Sequence, residues 1–221
     1  YMATWLEKAV EDGEDFDMAV QKLLTEIITE HGAVVFNGDG YSENWQIEAA
    51  DRGLPNLKTT LDAIPQLGTP EAIEVFEKYG VFTERELHSR EEVRYEMYAL
   101  TIAVEAKLTV EIGSTVILPA AMRYQTELAS NVATLKAAGM EPDTTLLRTV
   151  STPISELTAA LAALTSAMGS HGGDSAAEEA AHAQSLLPLM EAVRGAADTL
   201  EGVVADDLWP LPTYQEMLYI L

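Results

Sequence analysis

The feature that most constrains this chain is a run of 49 residues, Arg90–Ala138, without a single turn cluster. Val93, Met97, Leu100, Val104 and Leu108 recur along it at helical spacing and keep an apolar stripe. Only Gly113 and Pro119 interrupt it. A proline inside a helix removes one ladder hydrogen bond and clashes with the preceding turn, so a bend is expected at 115–119 rather than an end. A continuous helix of this length spans roughly 70 Å at the α-helical rise, which commits the middle of the chain to a long-helix architecture.

Helix punctuation on either side is equally legible. Residues 3–12 stop at Gly13. Phe16, Ala19, Val20, Leu23, Leu24 and Ile27 form a second helical pattern, closed by His31 and Gly32. Ala33-Val34-Val35-Phe36 is the one short β-like run, followed by the turn cluster Asn37-Gly38-Asp39-Gly40. Ser42 is an expected N-cap for a helix ending at Gly53, and Thr69-Pro70 opens another that ends at Tyr79-Gly80. Two capping boxes follow: Thr83–Glu86, expected to open a short turn, and Ser89–Glu92, expected to open the long run. After Gly139, Leu157, Leu161, Leu164 and Met168 stripe a helix over 144–168 that Pro153 bends. The loop 169–173 separates it from a last long helix over 175–205, past Pro188. Trp209-Pro210-Leu211-Pro212 is extended, and Thr213 caps a final short helix, the whole tail expected to dock on the body. The predicted fold is mainly α: short helices and loops, then an antiparallel bundle of long, proline-kinked helices, with at most one short β segment.

Composition narrows the function. Hydrophobic residues make up 48% of the 221 residues, enough for a real core. The formal net charge of −23 repels phosphate backbones and anionic lipid, arguing against nucleic-acid and membrane partners. No apolar stretch reaches the length of a membrane helix, because Lys107, Glu111 and Arg123 break the longest candidates. The absence of cysteine excludes thiolate nucleophiles, thiolate metal sites and a disulfide framework, and is compatible with a reducing cytosol. Beginning at Tyr1 rather than at a methionine, the chain reads as an excised piece.

No chemical constellation stands out. His31 suits the negative end of a helix dipole. His88 lies between the two capping boxes as a packing residue, and His171 sits in the glycine loop. Glu178 and His182 have a metal-compatible i, i+4 spacing, but no second pair matches it. Asn37–Ser42 lacks the alternating acids and late glutamate of a calcium loop. Gly38 and Gly40 do not complete a dinucleotide fingerprint. Arg85, Arg90 and Arg94 form a basic island, read as ion-paired surface with Glu84, Glu86, Glu91 and Glu92, with a conformational or subunit contact as the runner-up. No catalytic, cofactor-binding or metal residue is assigned.

Five strings go beyond generic helix: Phe36–Ser42 with Trp45; Arg52–Thr60; Glu86–Arg90; Ile117–Ala121 with Arg123, Tyr124 and Gln125; and Asp207–Pro212 with Tyr214, Glu216, Met217 and Leu218. In this order and spacing the chain resembles the C-terminal portion of type III glutamine synthetases. That resemblance implies ATP-dependent condensation of glutamate with ammonia, divalent Mg or Mn, cytoplasmic location, and homo-oligomeric rings. It implies that metal, nucleotide and ammonia ligands lie upstream, none in this fragment. Residues 1–88 would close the catalytic domain, and residues 89–221 would be a helical C-terminal domain. The periodicity by itself equally suits a free-standing acidic helical interaction or scaffold module.

Overall fold

The computed structural model describes residues 1–32, 35–170, 172–212 and 214–218. These are mainly α-helical, and no strand occurs among them. The β-like run 33–36 lies partly outside the described residues, as do Thr213 and its expected cap. By packing, the chain forms two compact units, Tyr1–Lys58 and Thr59–Leu221.

The first unit holds α1 (Met2–Glu11), α2 (Phe16–His31) and α3 (Glu43–Asp51), with α1 packed on α2. Helices α2 and α3 begin where a side chain satisfies an orphan amide donor. Asp15 accepts from the Met18 amide, and Ser42 from the Trp45 amide. Gly13 and Gly53 follow α1 and α3 with positive φ, which a side chain would disfavour.

The second unit opens with α4 (Thr60–Ala63), a 3₁₀ turn (Ile64–Gly68) and α5 (Pro70–Lys78), the last with proline at its first turn as expected. The long segment then starts earlier than the sequence suggested. Thr83 makes the complete capping box: its hydroxyl accepts from the Glu86 amide, and the Glu86 carboxylate accepts from the Thr83 amide at 2.9 Å. With the helix already nucleated there and no breaker following, Ser89 becomes an interior residue, and α6 runs Glu84–Ile112.

Between α6 and α7 (Leu118–Ala137) lies a π turn, Gly113–Ile117. It sits just ahead of Pro119, and the Leu118 amide reaches back five residues to the Gly113 carbonyl. Ser114 and Thr115 donate their hydroxyls to the Val110 and Glu111 carbonyls at 2.6 Å. The missing proline donor is thus absorbed by one widened turn, and the helix continues. Gly113 also lets α8 approach: a Cβ there would stand 2.8 Å from Leu161 Cδ2, so that side chain would have to shift.

Helix α8 (Thr145–Met168) returns antiparallel, with Gln125 of α7 hydrogen-bonded to Ser151 at 2.8 Å. A Ser175–Glu178 capping box opens α9 (Ala176–Glu201), which runs beside both α6 and α8. Leu157, Leu161 and Leu164, three of the four residues of the expected stripe, are buried, and the small residues Ala106, Ala121, Ala183 and Ala197 let the axes approach closely.

The outer stripe of α6 is the main reversal. Ala99, Ile102 and Ala106 face the core, while Val93, Met97, Leu100, Val104 and Leu108 point outward, 49 to 67% exposed. The tail divides near Pro210: Leu208 and Trp209 pack on the core, whereas in α10 (Tyr214–Leu218) Met217 and Leu218 are exposed.

Candidate functional site

Several of the residues weighed for chemistry have structural occupations. In the first unit, Tyr41 donates its amide to Asp39 Oδ1 at 2.9 Å, and Ser42 donates its hydroxyl to the Asp39 carbonyl at 2.8 Å. Asp39 therefore closes the turn. Phe36 folds over Gly38, where a Cβ would meet its ring at 2.5 Å, and stacks on Trp45 with centroids 4.1 Å apart. Arg52 places its guanidinium over both rings, 5.8 and 5.6 Å from their centroids. It also donates to the Val35 carbonyl at 2.6 Å and pairs with Glu48. This cation–π cluster ties two of the signature strings together and leaves Tyr41 fully exposed at the turn's tip. Sequence reasoning quoted all three residues without joining them. The signal available was an arginine and two aromatics flanking one capped helix.

In the second unit Arg90 of the basic island acts by its charge on Glu86, one of its expected acidic neighbours. Arg90 lies over the Phe82 ring, 4.2 Å from its centroid. His88 Nδ1 stands 3.3 Å from Glu91, and both pack against Gly68, so His88 joins α6 to the 3₁₀ turn. His31 ends α2 beside Glu30 at 3.9 Å. His171 lies outside the described residues.

Glu178 and His182 do not form a ligand pair. The Glu178 carboxylate accepts from the Asp174 and Ser175 amides, each at 3.1 Å, turning it toward the helix start. Those backbone and hydroxyl hydrogen bonds hold its carboxyl below the ordinary range, as the Thr83 bonds do for Glu86. Among the described residues no group of three or more His, Cys, Asp and Glu could hold a metal ion.

A groove of about 680 Å³ runs between α6 and α9, with Trp209 and Leu211 as its outer wall. Its buried lining is Ile117, Val193 and Ala197, its exposed or half-buried apolar lining is Leu108, Ile112, Leu187 and Met190, and Glu105, Glu191, Asp198 and Glu201 make it acidic. Trp209 Nε1 is buried without a hydrogen-bond partner among the described residues. The groove brings together neither a nucleophile with a base nor a ring of carboxylates, so it offers binding geometry and no catalytic constellation.

A family model described as the glutamine synthetase C-terminal domain matches residues 19–136. The chain belongs to this glutamine synthetase C-terminal domain family. It is 31% identical over 214 residues to the type-3 glutamine synthetase of Dictyostelium discoideum, covering 91% of this chain and 29% of that protein. It is 29% identical to a glutamine synthetase of Bacteroides fragilis (strain YCH46), covering 97% and 31%, and 31% identical to one from Butyrivibrio fibrisolvens, covering 95% and 31%. The chain thus spans about 30% of the length of the curated relatives it matches. The family match takes in the Arg52 cluster, all of α6, the π turn and nearly all of α7. Among the described residues of this family member, no helix is long and apolar enough to cross a membrane.

Proposed function

We propose that this chain is the C-terminal portion of a type III glutamine synthetase, an ATP-dependent ligase that joins ammonia to glutamate, and that it contributes structure and assembly to that enzyme. The observation that carries this reading is the pairing of near-complete coverage of the chain, 91 to 97%, with coverage of only 29 to 31% of the matched ligases. In this reading residues 1–88 complete the catalytic domain and residues 89–221 form a helical C-terminal domain whose tail docks through Leu208 and Trp209. The nucleotide and the Mg or Mn ions are held by residues outside the 221, and no residue here has a catalytic, nucleotide or metal role. The partners are the remainder of the polypeptide and neighbouring copies of the same subunit in a cytoplasmic ring.

The bundle's own core, from Ala99 on α6 to Val204 after α9, favours a second reading as a free-standing helical scaffold. Antibodies raised against this chain separate the two. The ligase reading expects them to detect a native polypeptide about three times the length of the chain, as the coverage implies, and to deplete glutamine-forming activity from an extract. A 24.0 kDa species whose removal leaves that activity unchanged would establish the scaffold.

A further inference from the structure

We propose that the outer face of α6 is a self-association surface, on which a second copy of this chain lays its own α6 antiparallel about a two-fold axis near Leu100 and Thr101. The inference deepens the assembly role proposed above but draws only on α6, so its failure would leave the ligase reading standing.

The face is large and apolar. Val93, Met97, Leu100, Val104, Leu108 and Ile112 are each at least 40% exposed. They line up over roughly 28 Å of helix at 1.5 Å per residue. They lie opposite Ala99, Ile102 and Ala106, the residues α6 gives to its own core. A contiguous apolar stripe on an otherwise acidic surface marks an interaction site.

The occupant follows from the pattern of charge. A second copy would ordinarily be repelled, because the chain carries 36 acidic side chains against 13 basic ones. Along α6 itself the signs balance: Arg90, Arg94 and Lys107 border the stripe against Glu96, Glu105 and Glu111, all six exposed, while the acidic side chains of α9 and the loop before it lie farther out on either side. At 100° per residue, Arg94 and Glu105 fall on one flank, and Glu96 and Lys107 on the other. An antiparallel pair brings like flanks together. Arg94 then meets Glu105 of the second copy, and Glu96 meets its Lys107, each within about half a turn. The same register sets Val93 against Leu108 and Met97 against Val104. The ends choose the direction. Arg90 and Glu111 lie close to the stripe's centre line, so antiparallel packing pairs them with each other. Parallel packing would set Arg90 against Arg90 and Glu111 against Glu111.

Cysteine cross-linking of the 221-residue chain tests this without background, since these residues contain no cysteine. Thr101→Cys, beside the axis, is expected to give a disulfide dimer. Val93→Cys mixed with Leu108→Cys is expected to cross-link at least about tenfold faster than either alone, as an antiparallel register requires. In sedimentation, Leu100→Glu should yield monomers with unchanged helical circular dichroism. Arg94→Glu should weaken the dimer about tenfold or more, and Arg94→Glu with Glu105→Arg should restore it. A chain that sediments as a monomer at all concentrations overturns the proposal. So does Val93→Cys pairing with itself as fast as with Leu108→Cys, which would mean parallel packing.

Discussion

The two faces of α6 invert the usual arrangement. Its inner face is built mostly from small side chains, Ala99 and Ala106 with Ile102, and these are buried. Its outer face carries the larger Met97, Leu100 and Leu108, and these are exposed. Small residues let α9 and α8 come close, so the bundle's stability rests on tight helix–helix approach, with Leu157, Leu164 and Leu200 filling the interior from the other helices. Side-chain size on this helix therefore does not report which side is in. It separates the face that folds the subunit from the face left for a partner.

That comparison can be broken or sharpened by substitution. The largest effect is expected on the inner face. Ile102→Ala should cost about 2–5 kcal/mol of unfolding free energy in a denaturant titration, because it opens a cavity in a close-packed core. A loss below 1 kcal/mol would show that this face is less tightly packed than described. Ala106→Leu should cost about 1–3 kcal/mol by overpacking a site with no exposed surface. Gly113→Ala should follow at about 1 kcal/mol. The new methyl would meet buried Leu161 at 2.8 Å, offset in part by the roughly 1 kcal/mol of helix propensity that alanine gains over glycine. A stabilised variant would mean that Leu161 has room to yield.

Of the same size is the effect at the shared start of both faces. Thr83→Ala should cost about 1 kcal/mol by removing the N-cap acceptor. Glu86 adds a pH signature. Hydrogen bonds from the Thr83 amide, then from its hydroxyl, hold the Glu86 carboxyl below its ordinary value of 4.5. A depressed carboxylate contributes stability that is present above the unfolded value. That contribution is lost as pH falls from 4.5 through the lower folded value. Glu86→Gln should flatten that part of the acid unfolding curve, monitored by circular dichroism at 222 nm, the standard helix band. The smallest effect belongs to the outer face. Leu100→Ala should leave the stability of the separated subunit within about 0.5 kcal/mol, and a larger loss would mean that the stripe already has a partner within the chain.

Much of this architecture could be read in the residues. Ser42 and Thr69 cap helices where their spacing placed them, and the Leu157–Leu164 stripe is buried, because local hydrogen-bond chemistry and a strong period leave few alternatives. What could not be read depended on competition between segments. Thr83 and Ser89 both offer capping boxes, and the first wins because nothing between them stops a helix once nucleated. The period of α6 does not say which neighbour, small-faced or large-faced, will be met. Glu178 and His182 share a spacing, but the free amides at the helix start outcompete the imidazole for the carboxylate. The Arg52 cluster needed a tertiary fact, the return of α3 beneath Phe36, that no local pattern carries.

In the proposed reading these 221 residues supply framework to a glutamine-forming ligase and no reacting group. The direct measurement is glutamine formation by the purified chain alone, at high concentration, with glutamate, ammonia, ATP and magnesium. The account predicts no turnover above the background without protein. Turnover that copurifies with the folded chain and disappears on unfolding it would contradict the account.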